Sequence, residues 1–213
     1  MPCGTLLRML RRTPRLLLLP AVIVAGGCGS ASTTPSSRTV STAGTSTSES
    51  GGALAADARS AATGDIPDSQ NFLTLNAPQL RISILYPEGW TVKESAAALT
   101  IKEKNNLVRI AVSPGPTPTA ASTQAQLAAL GRSTPGLTAG PVKPISLKNG
   151  PAFKVTYTTR SAPNPVTGKQ VTLTVDRYAL AHSGRVATVD LGTPVGVDNV
   201  DAYKRMIESF TWR

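Results

Sequence analysis

The sequence predicts an α+β domain, an antiparallel β-sheet covered by helices, preceded by a signal peptide and a disordered tether. Three observations carry this. Short runs in which apolar and polar residues alternate recur from Phe72 onward. The connections between them, such as Lys104-Asn105-Asn106 and His182-Ser183-Gly184, are turn-forming and too short for parallel crossovers. An amphipathic segment near the end of the sequence has the apolar spacing of a helix.

Residues 1–27 read as a lipoprotein signal peptide. Arg8, Arg11, Arg12 and Arg15 form a basic start, and residues 16–24 form an apolar core about half the roughly 20 residues that a membrane-spanning helix needs. Small residues follow, and Ala25-Gly26-Gly27-Cys28 resembles the lipobox of bacterial lipoproteins. That resemblance implies cleavage between Gly27 and Cys28 and a diacylglycerol on the Cys28 thiol, so that the chain is held at the outer face of the cell membrane. Ala25 departs from the motif, which usually has a bulky aliphatic residue there. Met9 is an alternative start, and Pro14 after Arg11-Arg12 speaks against twin-arginine export. Cleavage removes Cys3, so the mature chain has one cysteine and no internal disulfide. It also removes four of the 22 basic residues, which leaves 18 against 12 acidic ones.

Residues 28–68 begin with the lipidated Cys28 and continue as a stretch rich in Ser, Thr, Gly and Ala. Such a composition buries too little apolar surface to offset chain entropy, which predicts a flexible tether. About forty residues of this kind have an r.m.s. reach of roughly 35 Å. Ser/Thr-rich tethers with scattered Pro also resemble O-glycosylated stalks.

The domain itself is placed at residues 69–213. Strand-like runs occur at 81–86, 91–93, 99–102, 108–112, 142–147, 152–159, 170–181 and 185–191. Val108, Ile110 and Val112 share one face, as do Phe153, Val155 and Tyr157, leaving Arg109, Lys154 and Thr156 on the reverse. A helix is predicted over 120–130, with Thr119 or Ser122 as N-cap, and a second from Asp198 to about Phe210. In the second, Asp198 is placed to cap the N-terminus, and Val200, Tyr203, Ile207 and Phe210 form one stripe.

These motifs meet a family. Ile84-Leu85-Tyr86-Pro87-Glu88-Gly89-Trp90, the segment Gly150-Pro151-Ala152-Phe153-Lys154-Val155-Thr156-Tyr157, the strand ending Asp176-Arg177-Tyr178 and the closing Ser209-Phe210-Thr211-Trp212 resemble a PsbP-like domain. Among exported proteins they are similar to actinobacterial (mycobacterial) LpqN-type lipoproteins. The resemblance implies a non-catalytic adaptor or binder and carries over no catalytic residue. On packing grounds Trp90 is expected in the core, pinning the turn at Pro87 and Gly89, and Trp212 against the end of the last helix.

The residues themselves offer little chemistry. A single His in the sequence argues against His-based metal sites and His-paired nucleophiles. No catalytic or metal-ligating residue is assigned and no cofactor is expected. His182 reads as a solvated turn residue, and Asp176 and Asp190 as ion-pair partners for Arg177 or Arg185 rather than a pair of catalytic carboxylates. The basic excess points to binding. Arg109, Lys154, Arg160, Lys169, Arg177 and Arg185 come from strands or strand ends that adjoin in one sheet, a candidate basic patch. Its expected partners are an envelope protein, an anionic lipid or a wall polymer, and export argues against nucleic acid. The expected function is a non-catalytic, membrane-tethered adaptor in the cell envelope. The alternative is a carrier that holds a lipid or other small apolar ligand in a pocket.

Overall fold

The computed structural model of the chain describes residues 63–134 and 136–213. The signal peptide and Cys28 lie outside the described residues. The elements run β1 (Phe72–Ala77), β2 (Ile82–Pro87), β3 (Thr91–Glu94), β4 (Ala98–Glu103), β5 (Asn106–Pro114), α1 (Ala120–Ser133), β6 (Thr138–Ala139), β7 (Lys143–Leu147), β8 (Gly150–Arg160), β9 (Thr172–His182), β10 (Arg185–Pro194), α2 (Val200–Ser209) and β11 (Thr211–Trp212).

The strands form two antiparallel sheets. The small one has the order β1-β2-β11, and the large one β3-β4-β5-β10-β9-β8-β6, with β7 also paired to β8. Turn chemistry fixes the hairpins. His182 pairs with Arg185 across Ser183 and Gly184, both of which have positive φ (49° and 72°), as a tight hairpin of matching twist requires. Gly89 sits at φ 89° in the turn before β3, and the Trp90 that follows is buried as expected.

Register gives the large sheet two unlike faces. One row across it runs Leu99, Ile110, Val189, Tyr178. These side chains join Ile82 and Ile84 of β2, Trp90, and Tyr203, Met206, Ile207 and Phe210 of α2 in the main core. Burial of each large apolar side chain contributes about 1.5–3 kcal/mol. On the reverse face a smaller cluster joins Leu127 of α1 to Val155, Tyr157, Leu173 and Val175. Val155 and Val108 therefore lie on opposite faces of the same sheet.

Helix ends follow local chemistry. Thr119 caps α1 in a reciprocal box with Ser122, whose N–H reaches the Thr119 hydroxyl at 3.0 Å and whose own hydroxyl accepts from Thr119 N–H at 2.9 Å. In α2 the N-cap is Asn199 rather than Asp198, and its amide is engaged elsewhere. The Asp198 carboxylate instead accepts from Val200 N–H at 3.2 Å, just inside the helix. The second helix also ends one residue early. Phe210 turns extended (φ −57°, ψ 128°) to enter the core, and Thr211 and Trp212 pair with Ser83 and Ile82.

The predicted tether boundary at residue 68 falls inside the domain. Ile66 belongs to the core, and its N–H donates to the Asn199 side-chain oxygen at 2.8 Å. The Asn199 amide donates to Gly64 O at 3.1 Å and to Thr193 Oγ1 at 2.9 Å, and Asn106 also donates to Gly64 O. Two buried asparagines thus clamp residues 64–66 beside the C-terminal end of β10.

Candidate functional site: Arg185 beside Trp212

The six residues of the expected basic patch lie in or beside one sheet but do not share one surface. Strand parity separates them. Arg109 pairs with Asp190, and Asp190 with Arg177, all on the face of the smaller cluster. Lys154 pairs with Tyr178 on the opposite face, where Arg185 also points by its alternation with Ala187 and Val189. Arg160 ends β8, and Lys169 is exposed in the loop before β9.

Two of the six are committed to carboxylates. Arg177 is buried and makes a two-pronged bond to Asp190, Nε to Oδ1 at 2.7 Å and Nη2 to Oδ2 at 2.8 Å. Burial alone would lower the Arg177 pKa, but the Asp190 hydrogen bonds and charge outweigh it and raise it. The Tyr157 ring lies 5.6 Å from this guanidinium, and burial together with the Asp190 charge pushes its hydroxyl up to about 12. Lys154 meets Asp176 at 2.8 Å, and Thr156 donates to the other Asp176 oxygen at 2.6 Å. Burial opposes the charged form of Lys154, and Asp176 outweighs it, so its pKa is raised. The expected ion pair of Asp190 with Arg177 is present, while the partner of Asp176 is Lys154.

Arg185 has different neighbours. Its guanidinium carbon stands 4.9 Å from the centre of the Trp212 ring, and Nη2 donates to Leu80 O. The His182 ring lies near-parallel to Trp212 at 6.1 Å, and Phe210 meets it edge-on at 5.3 Å. Two more arginines lie at the end of the small sheet, where parity turns Arg213 to the face of Thr211 and Ser83, away from Trp212. Arg213 N–H donates to Arg81 O at 2.8 Å, which extends the β2–β11 ladder by one step, and Arg213 Nε donates to Ser83 Oγ at 3.3 Å. Arg81 holds a positive φ of 50° at the turn into β2. Among the described residues, none of Arg81, Arg185 and Arg213 forms an ion pair with a carboxylate.

Sequence reasoning found Arg185 but not its place over Trp212. Arg81 and Arg213 are far apart in the chain, and only the short strand β11 brings them together. His182 ends a strand beside Trp212, and Trp212 lies half-buried in β11 against Phe210 at the end of α2, as expected.

Elsewhere, a groove of about 300 Å³ runs along α2. Its lining includes Lys148, Asp201, Lys204, Arg205 and Glu208, a charged wall unsuited to an apolar ligand. Among the described residues no cluster of His, Cys, Asp and Glu is suited to a metal ion, and no helix is long and apolar enough to cross a membrane.

No family model matches the chain, and no curated protein matches it. Solved structures do. The chain is similar to the cyanobacterial PsbP protein CyanoP of Synechocystis, at 15% identity over 70% of this chain and 98% of that one, with a TM-score of 0.50. It is also similar to the Ran-binding protein Mog1p of Saccharomyces cerevisiae, at 10% identity over 68% and 96% of the two chains, with a TM-score of 0.46. The fold is PsbP-like. At these identities the likeness speaks for fold alone.

Proposed function

We propose that this chain is a non-catalytic, membrane-tethered binding or adaptor lipoprotein of the cell envelope, LpqN-like within the PsbP-like fold. In this reading the sheet is covered by its two helices, and diacylglycerol on Cys28 anchors it after cleavage behind Gly27. One observation supports it most. Residues 64–66, behind the proposed tether, are clamped by Asn106 and Asn199 beside Thr193, while Arg185 on Trp212 lies at the other end of the same strand. Eight residues of extended chain separate the two ends, about 27 Å at 3.4 Å per residue. A domain held at one end and charged at the other is built to present its far end to a partner.

Metabolic labelling with a fatty-acid analogue tests the anchor. The native chain is expected to take up label and to begin at Cys28. Cys28→Ala is expected to lose both label and cleavage yet keep its domain folded, since the described core is built from residues 66–210. Label retained by Cys28→Ala, or a mature N-terminus elsewhere, overturns the reading.

A further inference from the structure

We propose that the open edge of β1 pairs with the β1 edge of a second copy of this chain, antiparallel and about a two-fold axis through Thr74. The proposal goes beyond the binding-domain reading above and does not depend on acylation or on any other partner.

Which backbone groups β1 offers follows from the bonds of its neighbour. Arg213 N–H donates to Arg81 O and Leu85 N–H to Ser209 Oγ, so Arg81, Ser83 and Leu85 turn their backbone groups away from β1. Ile82, Ile84 and Tyr86 therefore bond to β1, through their partners Ala77, Leu75 and Leu73. Glu88 N–H, donating to Asn71 O at 2.9 Å, continues the same alternation. The N–H and C=O groups of Phe72, Thr74 and Asn76 are left pointing outward, and among the described residues they meet no partner.

The other sheet edges are guarded. β3, at one edge of the large sheet, carries Lys93 and Glu94, while β7, at the other, carries Lys143 and Pro144, and β6 and β11 have two residues each. Charge, proline and shortness keep a sheet edge from pairing with another chain. β1 has six residues with neither charge nor proline, and its Leu73 is 42% exposed.

The geometry also selects the occupant. Outward groups must meet outward groups, which restricts a symmetric antiparallel pair to registers centred on a residue rather than between two. Centring on Thr74 engages all three outward residues: Thr74 faces Thr74 of the second copy, Phe72 faces Asn76, and the exposed Leu73 lies opposite Leu75. Threonine pairs and apolar pairs across strands are favourable, and no like charges are brought face to face. The strand is thus its own complement. Exposed Asp68 precedes it and exposed Arg81 follows it, so the antiparallel pair sets the acidic end of each copy beside the basic end of the other. Six paired residues make a smaller interface than the roughly 1,200 Å² at which stable complexes begin, so a weak association that rises with concentration is expected.

The test uses the full chain with Cys3→Ala and Cys28→Ala, which removes both cysteines and acylation with them. Sedimentation at rising concentration is expected to show a monomer passing to a dimer. Thr74→Lys places like charges opposite each other on the axis and is expected to weaken the dimer by about tenfold or more. The Thr74 side chain is exposed, so the melting temperature at low concentration should not change. An equal mixture of Thr74→Lys and Thr74→Glu should dimerise again, which separates a lost pairing from a lost fold. Cysteines report the register. The Cα atoms of a bonded pair lie about 5.5 Å apart, within disulfide reach, so Thr74→Cys should give a disulfide-linked dimer under a mild oxidant, whereas Asn76→Cys, about 14 Å from its copy, should not. The proposal is overturned by a chain that stays monomeric, whether or not an extended peptide adds to β1, by a Thr74→Lys variant that dimerises as its parent does, by a mixture that fails to dimerise, or by Asn76→Cys linking as readily as Thr74→Cys. Dimerisation without label on native Cys28 would uphold the edge and remove the anchor.

Discussion

The two faces of the large sheet are built on different terms. On one, Leu99, Ile101, Val108, Ile110, Val189 and Leu191 meet α2 and the small sheet with essentially no exposure. On the other, apolar packing narrows to the patch beneath Leu127, and beside it lies the row Arg109, Asp190, Arg177. β4, β5 and β10 turn most of their apolar positions to the first face and make up the second largely with polar side chains that must find partners. The first face holds by area, the second by geometry. Area loss is graded, whereas the loss of one partner from a buried charge pair is abrupt.

The largest effect should come from that pair. Asp190→Asn leaves the Arg177 charge buried without its counter-charge, and a loss of about 3–5 kcal/mol in urea unfolding is expected. The double replacement Arg177→Met/Asp190→Leu removes both charges and should stay within about 1 kcal/mol of the native chain. If the single variant were equally mild, the contrast between the faces would fail.

Alkali should act on the second face next. Tyr157 holds its proton more tightly in the folded chain, near 12, than in the unfolded one. Its contribution is therefore complete below the ordinary tyrosine value of about 10 and is lost as pH rises from there towards 12, on the order of 2 kcal/mol in all. Lys154, also raised, is lost in the same direction. Tyr157→Phe should flatten the fall in stability above pH 10, measured by denaturant titration at successive pH values; an unchanged slope would remove Tyr157 from the account.

The smallest effect concerns α1. Thr123 is 1% exposed, and its hydroxyl has no hydrogen-bond partner. Thr123→Val should raise stability by about 1 kcal/mol, since a buried hydroxyl without a partner costs more than the methyl that replaces it. A thermal midpoint lower than that of the native chain would mean that the hydroxyl is satisfied in solution.

The sequence carried most of the sheet and little of the site around Trp212. All eight alternating runs are strands, because period-two alternation is the direct imprint of a half-buried strand. The strands that went unassigned carry no such imprint: β1 is an edge strand whose exposure does not alternate, and β6 and β11 have two residues each. The Arg177–Asp190 pair was legible only as one of the pairings open to Asp176 and Asp190 with Arg177 or Arg185, and its burial was not, since Arg177 was counted with the basic patch. Which face each basic residue takes was not legible either. Lys154 and Arg177 come from neighbouring strands yet face opposite ways, and only the register of β8 on β9 decides it. The Asn106–Asn199 clamp was hidden for a related reason, since two polar residues in loop-like surroundings look solvated until long-range contacts bury them.

The central ladder between β5 and β10 has a consequence for how this chain folds. On one side of it β3, β4 and β5 form a meander of near neighbours, and on the other β7, β8, β9 and β10 form a second. Each can close through local connections, the longest being the loop 161–171 between β8 and β9. Joining them is different, since the paired residues range from Pro114 with Arg185 to Leu107 with Gly192, separations of 71 to 85 residues. Closing so long a loop must be met in chain entropy before any contact across the ladder repays it. The seam in the middle of the sheet is thus the part whose assembly governs the folding rate.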